Sequence, residues 1–328
     1  MTARDVARVA GVSQRTVSDV VNLPGRVGAD TRKRVQAVID ELGYRPNAHA
    51  RGLRTRRTGL IAFVIPDLDI PYFSDLARSL ISELDKRSMT LVVDQTSGDP
   101  QRERAALSGG SLSSTFDGVL LNALNLTAAD VETGAASQPV VLLGEEDYGP
   151  GVDQISVDGV AAADVATTHL IETGRTRIAA IGRQLRDAGT TAQREAGFIA
   201  AMERAGLDPF RYMTRVEYTR ESGAQAMRAM LERDDPPDGV LCFNDLLALG
   251  AMRAAWERGF DIPRDVAFVG FDDIEDGRYA MPSLTSVSPD KEMIGRRAVE
   301  MLVDRIAGHT GPGRNERAGF ELIIRESS

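Results

Sequence analysis

The sequence predicts an α/β protein in two parts, a small all-α helix-turn-helix headpiece followed by a two-lobed, doubly wound core. Three observations lead there. Two short apolar stripes at helical spacing flank Gly11 near the start of the chain. From Leu60 onward, short apolar runs alternate with amphipathic helical patterns. The chain has 328 residues, enough for two or three compact units of the usual ~100 to 150 residues.

In the headpiece, Val6, Ala7, Val9 and Ala10 form the stripe of one helix, and Val17, Val20 and Val21 that of a second. Between them Gly11 supplies the freedom for a tight turn, Val12 fills the corner, and Ser13 stands where an N-cap hydroxyl accepts a backbone N–H. Gln14, Arg15, Ser18, Asp19 and Asn22 then occupy the outward side of the second helix, mostly towards its N-terminal end, with Thr16 a further candidate for DNA contact. From there side chains can reach base edges in a major groove. Residues 31–42 carry Val35, Val38, Ile39 and Leu42 on one face, a third helix able to close a miniature core. Arg26 and Thr31 flank this surface as further candidates for DNA contact. Gly43-Tyr44-Arg45-Pro46-Asn47 reads as a stop and a turn.

Charge is divided along the chain. Residues 1–57 hold twelve Lys or Arg against five acids, a net of +7, which leaves −16 for the remainder of a chain whose total is −9. A basic arm suited to phosphate thus precedes an acidic body. Residues 47–58 read as a linker that can form a short helix, with Ala50 and Leu53 on one side and Arg51, Arg54, Arg56 and Arg57 around them. A helix this short does not hold alone in water and needs a partner to fold.

In the body, apolar runs at 60–65, 90–93, 118–121, 140–143, 177–181, 239–243 and 266–271 suit buried parallel strands. Residues 73–86, 159–172, 191–205, 222–231 and 245–258 read as amphipathic helices. A break near Asp158 and a return crossing at 285–290 suggest two similar lobes framing a cleft, and ligands of open α/β sheets bind outside the carboxyl ends of the strands. Asp245 reads as a helix cap and Trp256 as a packing residue on the apolar side of its helix. His169 and His309 have no partners at ligand spacing. The single cysteine, Cys242, leaves no disulfide framework or multi-cysteine metal cluster and reads as a small apolar strand residue. No cofactor or metal is implied.

The segments AGVSQRTVSDVVN (10–22), TRKRVQAVIDELGYRPNAHARGLRTRRT (31–58) and LIAFVIPDLDIPYF (60–73), in this order and spacing, closely resemble the lactose/galactose repressor family of bacterial transcription regulators. The resemblance continues to the C-terminus. It implies a DNA-binding headpiece over residues 1–46, a hinge over 47–58, and a periplasmic-binding-protein-like effector and dimerisation core over 59–328. Within that core the first lobe would take 59–158 plus 289–317, and the second 159–288 plus 318–328.

It also implies site residues. The hinge would fold on the operator, pair with its twin in the minor groove and wedge a leucine between base steps. Leu53 matches that leucine, Ala50 is its neighbour, and Asn47 opens the segment. For the effector, Tyr72 and Phe73 match positions at the mouth of the first lobe, and Arg194 a contacting arginine. Tyr218 matches a stacking ring, Asn244 a polar contact, and Asp272 an acid that binds hydroxyls or amines. These residue types are what a sugar needs: fork donors, carboxylates and a ring.

Two departures limit what carries over. Asp19 stands where many relatives have a basic residue, so operator preference does not transfer. Glu145 stands near a ligand-binding aspartate of some relatives and is a weaker candidate. The expected protein is a sequence-specific transcriptional repressor, a homodimer on a pseudo-palindromic operator in duplex DNA, modulated by a small molecule, a sugar or related metabolite. The leucine-rich tail that joins two lactose repressor dimers is missing, which favours a dimer over a tetramer. With no signal region and no run approaching the ~20 apolar residues of a membrane span, a cytoplasmic location is expected. A free solute-binding protein would want a secretory signal and no basic headpiece. A Rossmann-type enzyme would want a Gly-rich turn after the first strand, where Pro66-Asp67-Leu68-Asp69 stands instead.

Overall fold

A computed structural model describes residues 1–22, 24–44, 57–109, 115–134, 137–146, 148–183 and 189–328, with the backbone alone at positions 22 and 24. It divides into two units, Met1–Thr58 and Gly59–Ser328.

The first unit holds α1 (Ala3–Ala10), α2 (Gln14–Asn22), a 3₁₀ turn at Pro24–Arg26 and α3 (Ala29–Leu42). Thr2 and Asp5 close a capping box at the head of α1, with the Thr2 N–H donating to Asp5 Oδ2 at 2.9 Å. Gly11 ends the helix at φ 64°, a left-handed backbone that glycine adopts without strain. One residue after Val12, Ser13 Oγ accepts the Thr16 N–H at 3.0 Å and starts α2. Val6, Ala7 and Ala10 pack with Val17, Val20, Val35, Val38 and Ile39. Val9, expected on the buried stripe, is 46% exposed, because three inward positions already fill the narrow side of an eight-residue helix.

The second unit contains two six-stranded sheets. The first is built from β1 (Leu60–Ile65), β2 (Thr90–Gln95), β3 (Gly118–Asn122), β4 (Val140–Leu143), β5 (Asp153–Val157) and β11 (Asn315–Ala318), in the order β11-β5-β4-β3-β1-β2. The second is built from β6 (Ile178–Arg183), β7 (Met213–Arg215), β8 (Gly239–Cys242), β9 (Ala267–Phe271), β10 (Thr285–Pro289) and β12 (Phe320–Ile323), in the order β12-β10-β9-β8-β6-β7. Every pairing is parallel except that of β12 with β10.

Helices cover both faces, as parallel strands require. α4 (Pro71–Asp85), α5 (Pro100–Ser108), α6 (Ala128–Gly134) and α12 (Lys291–Ile306) belong to the first sheet, and α7 (Gly159–Glu172), α8 (Gly189–Arg204), α9 (Arg220–Leu231), α10 (Asp245–Glu257) and the short α11 (Glu275–Arg278) to the second. The chain passes between the lobes after β5, after β10 and between β11 and β12. Each of the first two passages ends in a capping aspartate: Asp158 accepts from Ala161 N–H at 3.0 Å, and Asp290 from Met293 N–H at 2.9 Å. At the third, the Gly319 carbonyl accepts the Asp290 N–H at 2.9 Å, and within the first lobe a buried ion cluster fixes the start of β11: Asp153, 1% exposed, receives Arg305 at 2.8 Å and Arg314 at 2.7 Å.

Two sequence expectations are corrected here. The cap of α10 is Asn244, whose Oδ1 accepts from Leu247 N–H at 2.9 Å. Asp245 lies one residue inside the helix, buried, accepting the Ser286 hydroxyl at 2.7 Å and the Ile274 N–H at 2.9 Å. Trp256 does not pack in the core: it is 62% exposed, with the Arg253 guanidinium 4.7 Å from its ring. The alanines on the inner side of α10 leave no room for an indole there. Cys242 is buried in β8, where burial raises its thiol pKa. Among the described residues no helix is long and apolar enough to cross a membrane.

Candidate functional site

Two surfaces carry chemistry, one in each unit. In the first, burial of Val17 and Val20 turns Gln14 and Arg15 outward, both exposed at the N-terminal turn of α2, where the helix dipole favours an anion. Ser18 and Asp19 are half-buried beside them. Thr16 shares a hydrogen bond with Ser13 at 2.9 Å, so its hydroxyl is already engaged at the cap. Arg26 is exposed on the following turn, and Thr31 is half-buried in the first turn of α3. Arg4, Arg8, Arg32, Lys33 and Arg34 are exposed as well, which concentrates positive charge on this small unit. Asn47, Ala50 and Leu53 lie outside the described residues, as does the side chain of Asn22.

In the second unit a cavity of about 330 Å³ opens between the lobes. Its first wall is made by the carboxyl ends of the strands: Asp67 beyond β1, Gln95 ending β2, Asn122 ending β3, Glu145 and Glu146 beyond β4, and Ser156 in β5. Tyr72 and Phe73, in the first turn of α4, add two rings in an edge-on contact with centroids 5.4 Å apart. The second lobe supplies Thr191 and Arg194 from α8, Glu217 and Tyr218 beyond β7, and Asp272 beyond β9.

α8 reaches the cavity because it lies close against α7. A Cβ at Gly197 would come within 2.1 Å of the Val160 carbonyl oxygen. One turn before that contact, Arg194 is 6% exposed. Its Nη2 donates to Glu145 Oε1 at 2.5 Å, its Nε to Glu145 Oε2 at 3.4 Å, and its Nη1 to the Phe243 carbonyl. The guanidinium carbon stands 3.4 Å from the centre of the Phe271 ring. Burial works against the charge of Arg194, but Glu145 and Asp272 outweigh it and raise its pKa. Burial pushes Glu145 up, and Arg194 opposes that shift.

Asp272 sits at φ 107° and Asp273 at φ 48°, both uncommon for residues with a side chain. Surrounding bonds hold them there. Asp272 N–H donates to Val287 O at 2.9 Å, while the Asp273 carboxylate receives Arg325 at 2.6 Å, Arg278 at 2.8 Å and Ser288 at 3.1 Å. The result aims the Asp272 carboxylate into the cavity. Burial pushes its pKa up to about 7, with Arg194 and Lys291 holding it from going higher. Tyr218 is pushed up to about 12 by burial, and its hydroxyl lies 3.1 Å from that of Thr191.

Of the six effector residues named from the sequence, Tyr72, Phe73, Arg194, Tyr218 and Asp272 line this cavity together, with Glu145. Asn244 is not brought to its wall, its side chain being spent on the cap of α10. Gln95, Asn122, Ser156, Thr191, Asp67, Glu146 and Glu217 were not singled out from the sequence. For most of the first wall the signal was present: a polar residue at the carboxyl end of a predicted parallel strand. Among the described residues no group of three or more His, Cys, Asp or Glu is placed to hold a metal ion.

Both units have counterparts among known proteins. Residues 2–47 match the profile of bacterial regulatory proteins of the lacI family, and residues 167–328 that of a periplasmic binding protein-like domain. The chain is 33% identical over 340 aligned positions to the HTH-type transcriptional repressor PurR of Haemophilus influenzae (strain PittEE), covering 99% of this chain and 98% of that one. It is similar to the lac repressor dimer bound to operator and the anti-inducer ONPF, with TM-score 0.87, 30% identity, and coverage of 100% of this chain and 98% of that one. It is also similar to the regulator CelR in complex with cellobiose, with TM-score 0.73, 32% identity and coverage of 100% of both chains.

Proposed function

Because this chain belongs to the lacI family of bacterial regulatory proteins and is a DNA-binding transcriptional regulator, we propose that it is a homodimeric repressor whose operator affinity is set by a sugar or related metabolite bound between the two lobes of its core. The observation that carries the effector half is the convergence of Tyr72, Arg194, Tyr218 and Asp272, from both lobes, on one cavity of about 330 Å³. Rings for C–H faces and acceptors for hydroxyls are what a sugar requires. CelR, a similar regulator, was solved with cellobiose.

The DNA-contact set is Gln14, Arg15, Thr16, Ser18, Asp19, Asn22, Arg26 and Thr31 from a headpiece at 1–46, with Asn47, Ala50 and Leu53 from a hinge at 47–58. The core at 59–328 binds effector and dimerises. Supporting the dimer, β2 is an edge strand of its sheet and exposes Val92 and Val93, while Leu68 and Ile81 are exposed in the same lobe, and Tyr279 (82%) and Met281 (96%) in the other. Exposed valines on an unpaired sheet edge are what a second copy would cover. A two-fold dimer presents its headpieces to two half-sites, which makes the target a pseudo-palindrome.

The test is a thermal-shift screen of the full chain against sugars, nucleosides and related metabolites, then binding to a selected symmetric DNA with and without the hit. The expected change in DNA affinity is about 5- to 150-fold. Removing residues 1–58 should abolish DNA binding and keep ligand binding. Tight DNA binding that no ligand alters would remove the switch from this account and leave the DNA reader standing.

A further inference from the structure

The charges on the cavity wall point past "a sugar" to a narrower class. Five carboxylates face the cavity, those of Asp67, Glu145, Glu146, Glu217 and Asp272, and among the described residues Arg194 is the one cationic side chain that lines it. That guanidinium has little left to offer. Glu145 takes two of its nitrogens, the Phe243 carbonyl takes the third, and Phe271 covers one face. A phosphate entering the cleft could gain Arg194 only by displacing Glu145, leaving a carboxylate 7% exposed without its partner. The Asp272 carboxylate is the converse case: 8% exposed, with no hydrogen-bond donor among the described residues and its nearest cationic nitrogen, Arg194 Nη2, at 3.9 Å. It is an acceptor waiting for a donor. Lys291 does not compensate, since its ammonium is engaged by Asp75 at 3.1 Å and the Asp273 carbonyl at 3.2 Å and does not line the cavity.

We infer that the cleft takes a hydroxyl-rich ligand carrying no anionic group and rejects phosphorylated sugars, with Glu145 excluding the anion by saturating Arg194 and Asp272 accepting from a ligand hydroxyl. This rests on the reading of the cleft as an effector site. A guanidinium in a cleft is by its chemistry an anchor for an anion, and here its pairing with Glu145 removes it from that use.

The experiment uses the full chain at constant ionic strength and follows thermal stability and calorimetric binding. The probes are a panel of free mono- and disaccharides, the phosphate esters of the same sugars, and inorganic phosphate alone. The expected result is saturable binding of at least one free sugar, with its phosphate ester at least about ten-fold weaker, and no saturable effect of inorganic phosphate. Glu145→Gln, which releases Arg194, should gain saturable phosphate binding. Should that variant fail to fold, the double substitution Glu146→Gln with Glu217→Gln should narrow the preference for the free sugar over its ester. An ester that binds as tightly as its parent, phosphate that saturates the unaltered chain, or a preference unmoved in folded variants overturns the inference. If neither free sugars nor phosphate bind the unaltered chain but Glu145→Gln gains phosphate binding, the exclusion of anions stands and the effector-cleft reading is what fails; if that gain is absent as well, both fail.

Discussion

The ammonium of Lys291, at the start of α12, lies 3.1 Å from the carboxylate of Asp75 on α4. The same ammonium donates to the carbonyl of Asp273 at 3.2 Å, one residue after the acid that faces the cavity. Any ligand that moves Asp272 therefore pulls on a side chain bonded to the other lobe. Coupling between sites requires a contact whose two arrangements both sites bias, and this one, joining Asp75 of one lobe to Asp273 of the other, is placed to be tested for that role. Lys291→Met keeps the length and loses the charge. We expect it to lower the ligand-induced change in DNA affinity by about ten-fold, or ~1.4 kcal/mol of coupling, with DNA affinity measured by anisotropy and ligand affinity changing less. Unchanged coupling would remove Lys291 from the route.

Asp272 predicts a pH dependence. Its folded pKa of about 7 exceeds the ordinary 3.8, so the folded state holds a proton that the unfolded chain has lost. This contribution is present in full below about pH 4 and is lost as pH rises to about 7, on the order of a few kcal/mol at most. Asp272→Asn should flatten that decline in the ligand-free protein and weaken ligand binding by about ten-fold or more. Chemical denaturation at several pH values checks the first part. A decline of the same size in the variant would show that another group titrates.

A ligand hydroxyl that donates to ionised Asp272 favours the carboxylate, so binding should release a proton and tighten as pH rises from 6 to 8. Calorimetry in buffers of different ionisation enthalpy measures that release directly. Proton uptake would contradict the assigned role.

In the headpiece, Ser13→Ala removes the acceptor of the Thr16 N–H and should cost about 1 kcal/mol of its stability. Operator affinity should fall accordingly, while ligand binding to the core stays as it was. Loss of both activities would mean that the substitution acts on the whole chain.

For the hinge, Leu53→Ala should reduce specific binding far more than non-specific binding, because a wedge is useful only where the duplex is bent. Equal losses on selected and random DNA would exclude the wedge.

How far the chain was legible depended on pattern length. Runs buried on both faces, such as LIAFVI of β1, announced themselves, and so did the valine stripes around Gly11. β5, β11 and β12 escaped notice because DQISV, NERA and FELI mix polar residues into short edge or near-edge positions. The helix over Lys291–Ile306 carries a readable period in Ile294, Ala298 and Leu302, although the sequence expectation for this stretch extends only to its lobe. Trp256 was misplaced because helical period alone cannot say that alanines have already closed the inner face. Of the effector residues implied by the resemblance, Tyr72, Phe73, Arg194, Tyr218 and Asp272 line the cavity and Asn244 does not. The saturation of Arg194 was not legible, since no spacing tells that Glu145, 49 positions away, will sit on it.

The three passages of chain between the lobes act mechanically as a strap with three threads. One thread would let the halves swing and twist independently, whereas three, side by side at one edge of each sheet, favour bending about a shared line. Work done by a small molecule at the mouth is then delivered as one rotation rather than dispersed among many, which is what a lever needs if so slight a load is to be felt at its far end.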